Sequence, residues 1–364
     1  MISSKRKRVA VAMSGGVDSS LAAALLLKQG YEVVALTFRM WPKEECGASF
    51  GKACCNLEAI TRARAVAQEL GIPYYVFDFS EEFKKQVIDY FCEEYLKGRT
   101  PNPCVICNEK IKFGLLRDKA LALDAEMIAT GHYARIDFNK KKRRYILREG
   151  ADKDKDQSYF LFALSQEQLK RIIFPLSGYT KVKSRAAAKK FKLRTYNTVS
   201  SQDICFIQDR DYAAYIKKKT GVEIKEGDII DKHGSILGRH KGIPFYTIGQ
   251  RRGLGIAYKE PLYVTGIDRS KNRIIVGTKK DVLKKSLIAD KVNWIAIDGI
   301  DKALRVKAKI RYNHKKEAAV VTPVSAAEVR VDFDSPQEAP TPGQAVVFYN
   351  KDIVVGGGWI KEVV

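Results

Sequence analysis

Up to residue 200, short apolar runs alternate with longer helical stretches. The apolar runs predict buried parallel strands, because strands covered on both faces are apolar throughout. They lie at 9–12, 33–38, 74–79 and 127–130. The helical stretches lie at 18–28, 57–70 and 81–96. Each is followed by a glycine where a left-handed cap belongs, at Gly30, Gly71 and Gly98. The pattern predicts a doubly wound parallel α/β domain, with its ligand beyond the carboxyl ends of the strands.

Beyond residue 220 the pattern changes to short alternating segments separated by Gly, Pro, Asn and Asp, which is typical of an all-β half. The proline-rich segment 335–343 predicts a loop between late strands. The predicted strands lie at 261–268, 273–276, 292–297, 306–312, 318–321, 329–333, 345–348 and 353–355.

Charge changes this picture by indicating a partner. The 364 residues carry a formal net charge of +23. Solubility needs far less, so nucleic acid is the leading partner. The longest apolar run, 21–27, is much shorter than the roughly 20 residues of a membrane span. The basic start leads directly into the first strand, without a separate apolar segment. We therefore expect a cytoplasmic protein with no membrane partner.

The segment after the first strand, Met13-Ser-Gly-Gly-Val-Asp-Ser-Ser20, predicts an anion-binding loop. Its two glycines let the backbone amides and the following helix N-terminus face one anion. The serines add hydroxyl donors, and Asp18 is placed to help hold magnesium. No Gly-Lys-Ser/Thr sequence closes the loop, which disfavours a motor-type NTPase. The loop resembles that of the pyrophosphate-loop ATPases, which split ATP between its α and β phosphates and adenylate a carbonyl oxygen.

Two further segments resemble the signature segments of the bacterial tRNA-specific 2-thiouridylases. They are Gly98-Arg-Thr-Pro-Asn-Pro-Cys-Val-Ile-Cys-Asn-Glu-Lys-Ile-Lys-Phe-Gly114 and Ser201-Gln-Asp-Ile-Cys-Phe-Ile207. Similar matches at 129–133, 153–158, 249–255 and Arg311-Tyr312 extend the resemblance over essentially the whole chain. It implies a nucleotide-binding and catalytic domain at 1–210, a small central β-rich domain at 211–283 and a C-terminal β-barrel at 284–364.

The resemblance also implies a mechanism with two cysteines. Cys205 carries a persulfide, Cys107 is the partner nucleophile, and the two form a transient disulfide. The chemistry agrees, since a persulfide is a stronger nucleophile than a neutral thiol, and a second thiol can release the product by exchange. The persulfide is expected from a cysteine desulfurase or a sulfur-relay protein.

The binding residues implied by the resemblance form two sets. For ATP they are Ala12, Met13, Ser14, Gly15, Gly16, Val17, Asp18, Ser19, Phe38 and Gly131. For tRNA they are Asn102, Pro103, Cys104, Lys155, Asp156, Gln157, Arg311 and Tyr312.

Cys104 departs from the family pattern. Many members have an aspartate there, assigned as the acid/base catalyst. With a cysteine, Cys104, Cys107 and Cys205 also resemble three ligands of a four-iron four-sulfur cluster. We favour the cluster-free persulfide route, because two cysteines suffice. Cys92 is expected to be a core residue. No catalytic role is expected for three others, Cys46, Cys54 and Cys55.

Two other functions compete with tRNA thiolation. A pyrophosphate-loop ligase acting on a small molecule would need neither these cysteines nor a basic β-rich half. A non-catalytic RNA-binding module would not need an intact nucleotide loop. Basic clusters suited to phosphate contacts lie at Lys140, Lys141, Lys142, Arg143, Arg144, Arg251 and Arg252.

Overall fold

The computed structural model of the chain describes residues 6–40, 57–198, 204–207 and 211–364. Its strands, in chain order, are β1 (Arg8–Ala12), β2 (Glu32–Arg39), β3 (Tyr74–Asp78), β4 (Met127–Ala129), β5 (Ala134–Asn139), β6 (Arg144–Glu149), β7 (Ile172–Ile173), β8 (Gly227–Ile230), β9 (Ile236–His240), β10 (Tyr263–Asp268), β11 (Arg273–Gly277), β12 (Leu283–Trp294), β13 (Leu304–Lys309), β14 (Glu317–Pro323), β15 (Val329–Glu338), β16 (Ala345–Asn350) and β17 (Ile353–Val363).

Its α-helices are α1 (Val17–Lys28), α2 (Leu57–Glu69), α3 (Ser80–Phe83), α4 (Tyr90–Leu96), α5 (Pro103–Ile106), α6 (Leu116–Leu121), α7 (Gln166–Leu169), α8 (Lys181–Lys190) and α9 (Tyr212–Thr220). Among the described residues, Lys84–Asp89 and Cys107–Leu115 are π-helical. Two short 3-10 turns are Ser158–Leu161 and Ile243–Phe245. None of the helices described here is long and apolar enough to cross a membrane.

The chain divides into two compact units. The first comprises Met1–Val87, Cys104–Phe206 and Asp352–Val354, and the second comprises Ile88–Pro103, Ile207–Lys351 and Val355–Val364. These units follow contacts within the folded chain, so each contains segments that are distant in sequence. The three domains expected from the sequence stay a prediction.

A five-stranded parallel sheet in the order β3-β2-β1-β4-β7 forms the centre of the first unit. Helix α1 is buried along most of its length, and its alanines allow close packing against the core of β1 and β2. The parallel α/β fold predicted for this region is confirmed. So are the left-handed glycines after the predicted helices, with φ of 85° at Gly30, 65° at Gly71 and 73° at Gly98.

Two predictions for this region were wrong in part. Strand β3 is not buried, because among the described strands it pairs only with β2, and Tyr75 is 43% exposed. The single helix predicted at 81–96 is instead α3, the π-helical segment Lys84–Asp89 and α4 in succession. An antiparallel hairpin, β5 and β6, follows the parallel strand β4 and was not predicted from the sequence.

The second unit contains two β structures. Strands β10-β11-β8-β9 form a small sheet around Ile229, Val264 and Ile274. Strands β12-β15-β14-β13-β16-β17 form a six-stranded barrel, which the pairing of β12 with β17 closes. The predicted small central domain fold and C-terminal barrel fold are confirmed.

Several strand limits in the barrel differ from the prediction. Strand β12 ends at Trp294 instead of covering 292–297. Strand β15 runs to Glu338, so 335–338 is not a loop, and an irregular register around Pro336 accommodates the proline that suggested one. Strand β17 continues through its glycines. A Cβ at Gly356 would lie 2.5 Å from the Asn293 carbonyl oxygen, so this position must be glycine for the neighbouring strand to pack this closely. Strands β8 and β9 had no counterpart among the predicted strands.

Candidate active site

The loop between β1 and α1 has a backbone that depends on glycine. Gly15 has φ of 70°, and a Cβ there would lie 2.3 Å from the Ala59 carbonyl oxygen. Gly16 is the N-cap of α1 and has no side chain that could cap the helix. The first amides of α1 therefore have no N-cap side chain as an acceptor, which is the arrangement that binds phosphate at helix N-termini.

Hydroxyl groups hold this loop in place. The Ser19 hydroxyl donates to the Gly16 carbonyl at 3.1 Å and accepts from the Ser14 amide at 3.2 Å. The buried Ser20 hydroxyl donates to the same Gly16 carbonyl at 2.9 Å. Of the three serines, Ser14 is the exposed one, so its hydroxyl is the best placed to meet a ligand.

Gly131 lies against the first turn of α1. A Cβ at Gly131 would lie 2.7 Å from the Asp18 carbonyl carbon and 2.8 Å from the Ser19 amide nitrogen. Any other residue would push the segment after β4 away from the loop. Phe38, at the carboxyl end of β2, is buried, and its ring centroid lies 5.9 Å from that of Phe79. Its side chain packs in the core.

Asp18 lies at the centre of a polar network that has no counterpart among the predictions from sequence. Its Oδ2 is 2.6 Å from the Lys181 ammonium, and its Oδ1 accepts a hydrogen bond of 2.8 Å from the Tyr133 hydroxyl. The Tyr133 oxygen is also 2.9 Å from the Ser184 hydroxyl. Lys181 begins α8, and its amide donates to Asp152 at 2.7 Å. The network brings a cation to the N-terminal end of α1.

The Lys181 ammonium is well placed for a phosphate. Its side chain is 15% exposed, so solvent screens its charge less than that of a surface lysine. Burial, and next the charge of Asp18, raise the pKa of Tyr133 far above its usual value, so its hydroxyl stays protonated. The sequence contains no direct signal for the role of Lys181. The nearest one is Thr180, a helix-capping residue that marks the start of α8.

The cysteines occupy different environments. Cys104 is exposed in α5, Cys107 is buried at the start of the following π-helical segment, and Cys205 is partly buried. Next to Cys205, the Phe206 ring packs edge-on to Phe83, with 5.9 Å between centroids. Phe83 ends α3, which contacts the π-helical segment that begins with Cys107. Both thiol-bearing segments thus pack on the same short helix.

The remaining cysteines do not extend this site. The Cys92 thiol is buried, and burial raises its pKa to about 11, so it stays protonated near neutral pH. Cys46, Cys54 and Cys55 lie outside the described residues, as does part of the second cysteine motif, 201–203.

No group of three His, Cys, Asp or Glu side chains that could hold a metal ion occurs within the described ranges. Cys104, Cys107 and Cys205 all lie within them, so this conformation does not present three thiolates to one iron–sulfur cluster. Asp18 likewise lacks two further protein ligands around it, and both of its oxygens contact protein donors.

The residues expected to contact tRNA differ in exposure. Lys155 is exposed, whereas Asp156 is buried and accepts hydrogen bonds from the Gly150 amide at 2.9 Å and the Ser158 hydroxyl at 2.7 Å. Burial raises the pKa of Asp156. Gln157 accepts from the Tyr133 amide at 3.0 Å. In this conformation Asp156 and Gln157 hold the loop together and Lys155 faces solvent.

Asn102, Pro103, Arg311 and Tyr312, which are also expected to contact tRNA, lie in the second unit. Asn102 and Pro103 are buried ahead of the exposed Cys104. Arg311 donates to the Thr341 hydroxyl at 2.8 Å and to the Ala339 carbonyl. The Lys309 ammonium lies 5.3 Å from the Tyr312 ring centroid, a cation over an aromatic face.

A parallel α/β sheet whose first strand leads through a Ser-Gly-Gly loop to an uncapped helix, without a Walker lysine, is that of a pyrophosphate-loop nucleotide-binding protein. Comparison with known families agrees and goes further. A tRNA methyl transferase HUP domain matches residues 7–209, a tRNA methyl transferase PRC-barrel domain matches 213–278, and an aminomethyltransferase beta-barrel domain matches 284–360.

Full-length relatives narrow the class. The chain is 51% identical to the tRNA-specific 2-thiouridylase MnmA of Acetivibrio thermocellus, over 98% of its own length and 99% of that protein. It is 49% identical to the protein of the same name in Carboxydothermus hydrogenoformans, over 98% of each chain. It is 47% identical to tRNA-specific 2-thiouridylase MnmA 1 of Clostridium botulinum, over 98% of its own length and all of that protein. The chain belongs to the tRNA-specific 2-thiouridylase family.

Proposed function

We propose that this protein catalyses ATP-dependent 2-thiolation of the wobble uridine of tRNA, in the cytoplasm. The observation that carries the proposal is the Asp18–Lys181 pair at the uncapped start of α1, which places a cation where a nucleotide phosphate would bind. We assign nucleotide binding and catalysis to residues 1–210, and the regions 211–283 and 284–364 to support of the tRNA.

ATP activates the uridine. The α1 N-terminus, the Ser14 hydroxyl and the Lys181 ammonium bind the phosphates. The 2-oxygen attacks the α phosphate, pyrophosphate leaves, and the oxygen becomes part of AMP, a good leaving group. Gly131 keeps the segment after β4 close enough to line the nucleotide site.

Magnesium fits this site as a companion of ATP. Mg²⁺ is usually bound through one or two carboxylates plus substrate phosphates, and Asp18 supplies one carboxylate at the phosphate end of the loop. When bound, the ion would offset phosphate charge. Among the described residues the three cysteines do not gather as a metal site, which supports the persulfide route over an iron–sulfur cluster.

Sulfur arrives as a persulfide on Cys205, supplied by a desulfurase or a relay protein. The terminal sulfur attacks carbon 2 of the activated uridine, and AMP leaves with the original oxygen. The Cys107 thiolate then attacks the Cys205 sulfur of the resulting disulfide. This releases 2-thiouridine and leaves a Cys107–Cys205 disulfide, which a thiol reductant must reduce before the next cycle.

The two competing functions are less well supported. A small-molecule ligase has no use for an exposed Cys104 and a partly buried Cys205 in one unit. An RNA-binding module without activity would not need Lys181 held at the nucleotide loop by two acidic partners.

The direct test is reconstitution with unmodified tRNA, ATP and a persulfide-generating desulfurase. We expect one AMP and one pyrophosphate for each 2-thiouridine, measured by nucleoside mass spectrometry and a pyrophosphate assay. Pyrophosphate release that needs a small acceptor and ignores tRNA would instead favour the ligase. In a strain lacking the protein, the 2-thiouridine of tRNA should disappear.

Replacing Cys104 by aspartate separates the persulfide route from a cluster route. In the family pattern an aspartate is the acid/base group at this position, so Cys104→Asp should retain or raise thiolation in air. If Cys104 were a cluster ligand, the same change would release iron and abolish activity.

Iron analysis completes the Cys104 experiment. Protein purified without oxygen should contain no stoichiometric iron, and Cys104→Ala should lower activity more than Cys104→Asp. About four irons per chain, with activity that follows iron content and is lost in Cys104→Asp, would exclude the persulfide route.

A further inference from the structure

The β5–β6 hairpin ends in a basic tip, defined here as residues 138–145. Strand register places Phe138 opposite Tyr145 and Asn139 opposite Arg144. The Asn139 side-chain oxygen accepts a hydrogen bond of 3.0 Å from the Lys142 amide, and Arg143 adopts φ of 49°. The turn therefore has a defined conformation, which presents Lys140, Lys141, Lys142 and Arg143 in succession.

Charge is distributed unevenly along this hairpin. Lys140, Lys141, Lys142 and Arg143 are exposed, and no ion pair to a described carboxylate involves them. At the base of the hairpin, Asp137 pairs with Arg135 at 3.0 Å and with Arg148 at 2.7 Å. Four positive charges are thus concentrated at the tip, while those at its base are partly neutralised.

An aromatic pair adjoins these charges. Phe138 is 49% exposed, and its ring centroid lies 4.8 Å from that of the partly buried Tyr145. The Gln166 side chain accepts from the Tyr145 amide at 2.8 Å and donates to the Tyr145 carbonyl at 3.0 Å. Helix α7, which begins with Gln166, thereby fixes β6, and Tyr145 supports Phe138 from one side.

We propose that the basic tip binds an unpaired stretch of the tRNA, with phosphates on Lys140 to Arg143 and one base stacked on Phe138. Proteins that bind single-stranded nucleic acid typically place basic residues along the phosphate backbone of the nucleic acid and an aromatic ring on which a base stacks. A solvated lysine turn would need no exposed Phe138, and a phosphate contact alone would not use its ring. This inference rests on tRNA being the substrate and assigns it a surface outside the catalytic residues.

The salt dependence of tRNA binding separates the two contributions. Removing three lysines in Lys140→Ala/Lys141→Ala/Lys142→Ala should reduce the slope of log affinity against log salt by about 2, because each phosphate contact to a single strand contributes about 0.7. Phe138→Ala should lower affinity by about 5-fold to 100-fold and leave the slope unchanged, because stacking does not release counterions. Phe138→Trp should restore affinity.

The matched control removes three consecutive lysines from α9, in Lys217→Ala/Lys218→Ala/Lys219→Ala. It should reduce the slope less than the hairpin variant does. An equal loss in this control would mean that total charge alone is responsible, and unchanged affinity in Phe138→Ala would exclude stacking; either result overturns the proposal. At saturating tRNA, all hairpin variants should still release pyrophosphate and form 2-thiouridine. Wild-type protein that fails to thiolate would contradict the proposed function instead.

Discussion

Lys181→Met is expected to lower tRNA-dependent pyrophosphate release by about 100-fold to 1,000-fold, the range for losing one preorganised group that stabilises transition-state charge. Methionine keeps an unbranched side chain in the space of lysine but cannot attract the phosphates. The assay follows pyrophosphate release at saturating ATP and tRNA, and tRNA affinity is measured separately. Affinity should stay within about twofold, because the change lies at the nucleotide loop rather than at a phosphate of tRNA.

Lys183→Met provides the matched control, since Lys183 lies on the same helix two residues later and is exposed. It should retain full turnover.

Asp18→Ala should abolish turnover while leaving tRNA binding intact. Because the Asp18 and Lys181 side chains are 2.6 Å apart, the double variant should lose little more than Asp18→Ala alone. Equal losses in Lys181→Met and Lys183→Met would remove Lys181 from the nucleotide site.

The nucleotide loop could be predicted from sequence patterns, whereas the contact of Lys181 with Asp18 could not. The loop was predictable because its requirements are local: Gly15 must adopt a positive φ, and Ser19 bonds to Gly16 within one turn. Lys181 meets Asp18 across 163 positions of sequence. Only the packing of α8 against α1 brings them together, and neither periodicity nor composition encodes that contact.

The predicted ends of two barrel strands were wrong for a related reason. Pro336 and the glycines after Val355 are local signals for turns, yet they lie within β15 and β17. In both places the partner strand decides the outcome: an irregular register with β12 accommodates Pro336, and close approach of β12 requires glycine at 356. Such neighbours are invisible until the barrel closes.

The resemblance identified the reactive thiols but not their surroundings. The resemblance assigned Cys107 and Cys205 their roles, but it did not show that Cys107 is buried while Cys104 is exposed. Burial matters here, because a nucleophile must reach its target as a thiolate. We therefore expect the Cys107 segment to move before its thiolate can attack Cys205. A variant that stops the reaction after sulfur transfer to the uridine, and before the attack by Cys107, would separate these two steps.

Cys205→Ser is expected to abolish 2-thiouridine formation while tRNA-dependent pyrophosphate release continues within a few-fold of wild type, since activation by ATP precedes sulfur transfer. Cys107→Ser should stop one step later. In single turnover it should accumulate a protein–tRNA adduct joined through the Cys205 sulfur, visible as a shifted band on a denaturing non-reducing gel. Dithiothreitol should cleave this adduct and release 2-thiouridine, because an external thiol can replace Cys107 in the exchange.

Cys92→Ala, which alters a buried thiol outside the reaction, should form no adduct and retain turnover. Loss of pyrophosphate release in Cys205→Ser, or an adduct that resists dithiothreitol, would show that sulfur does not pass through a Cys205 persulfide.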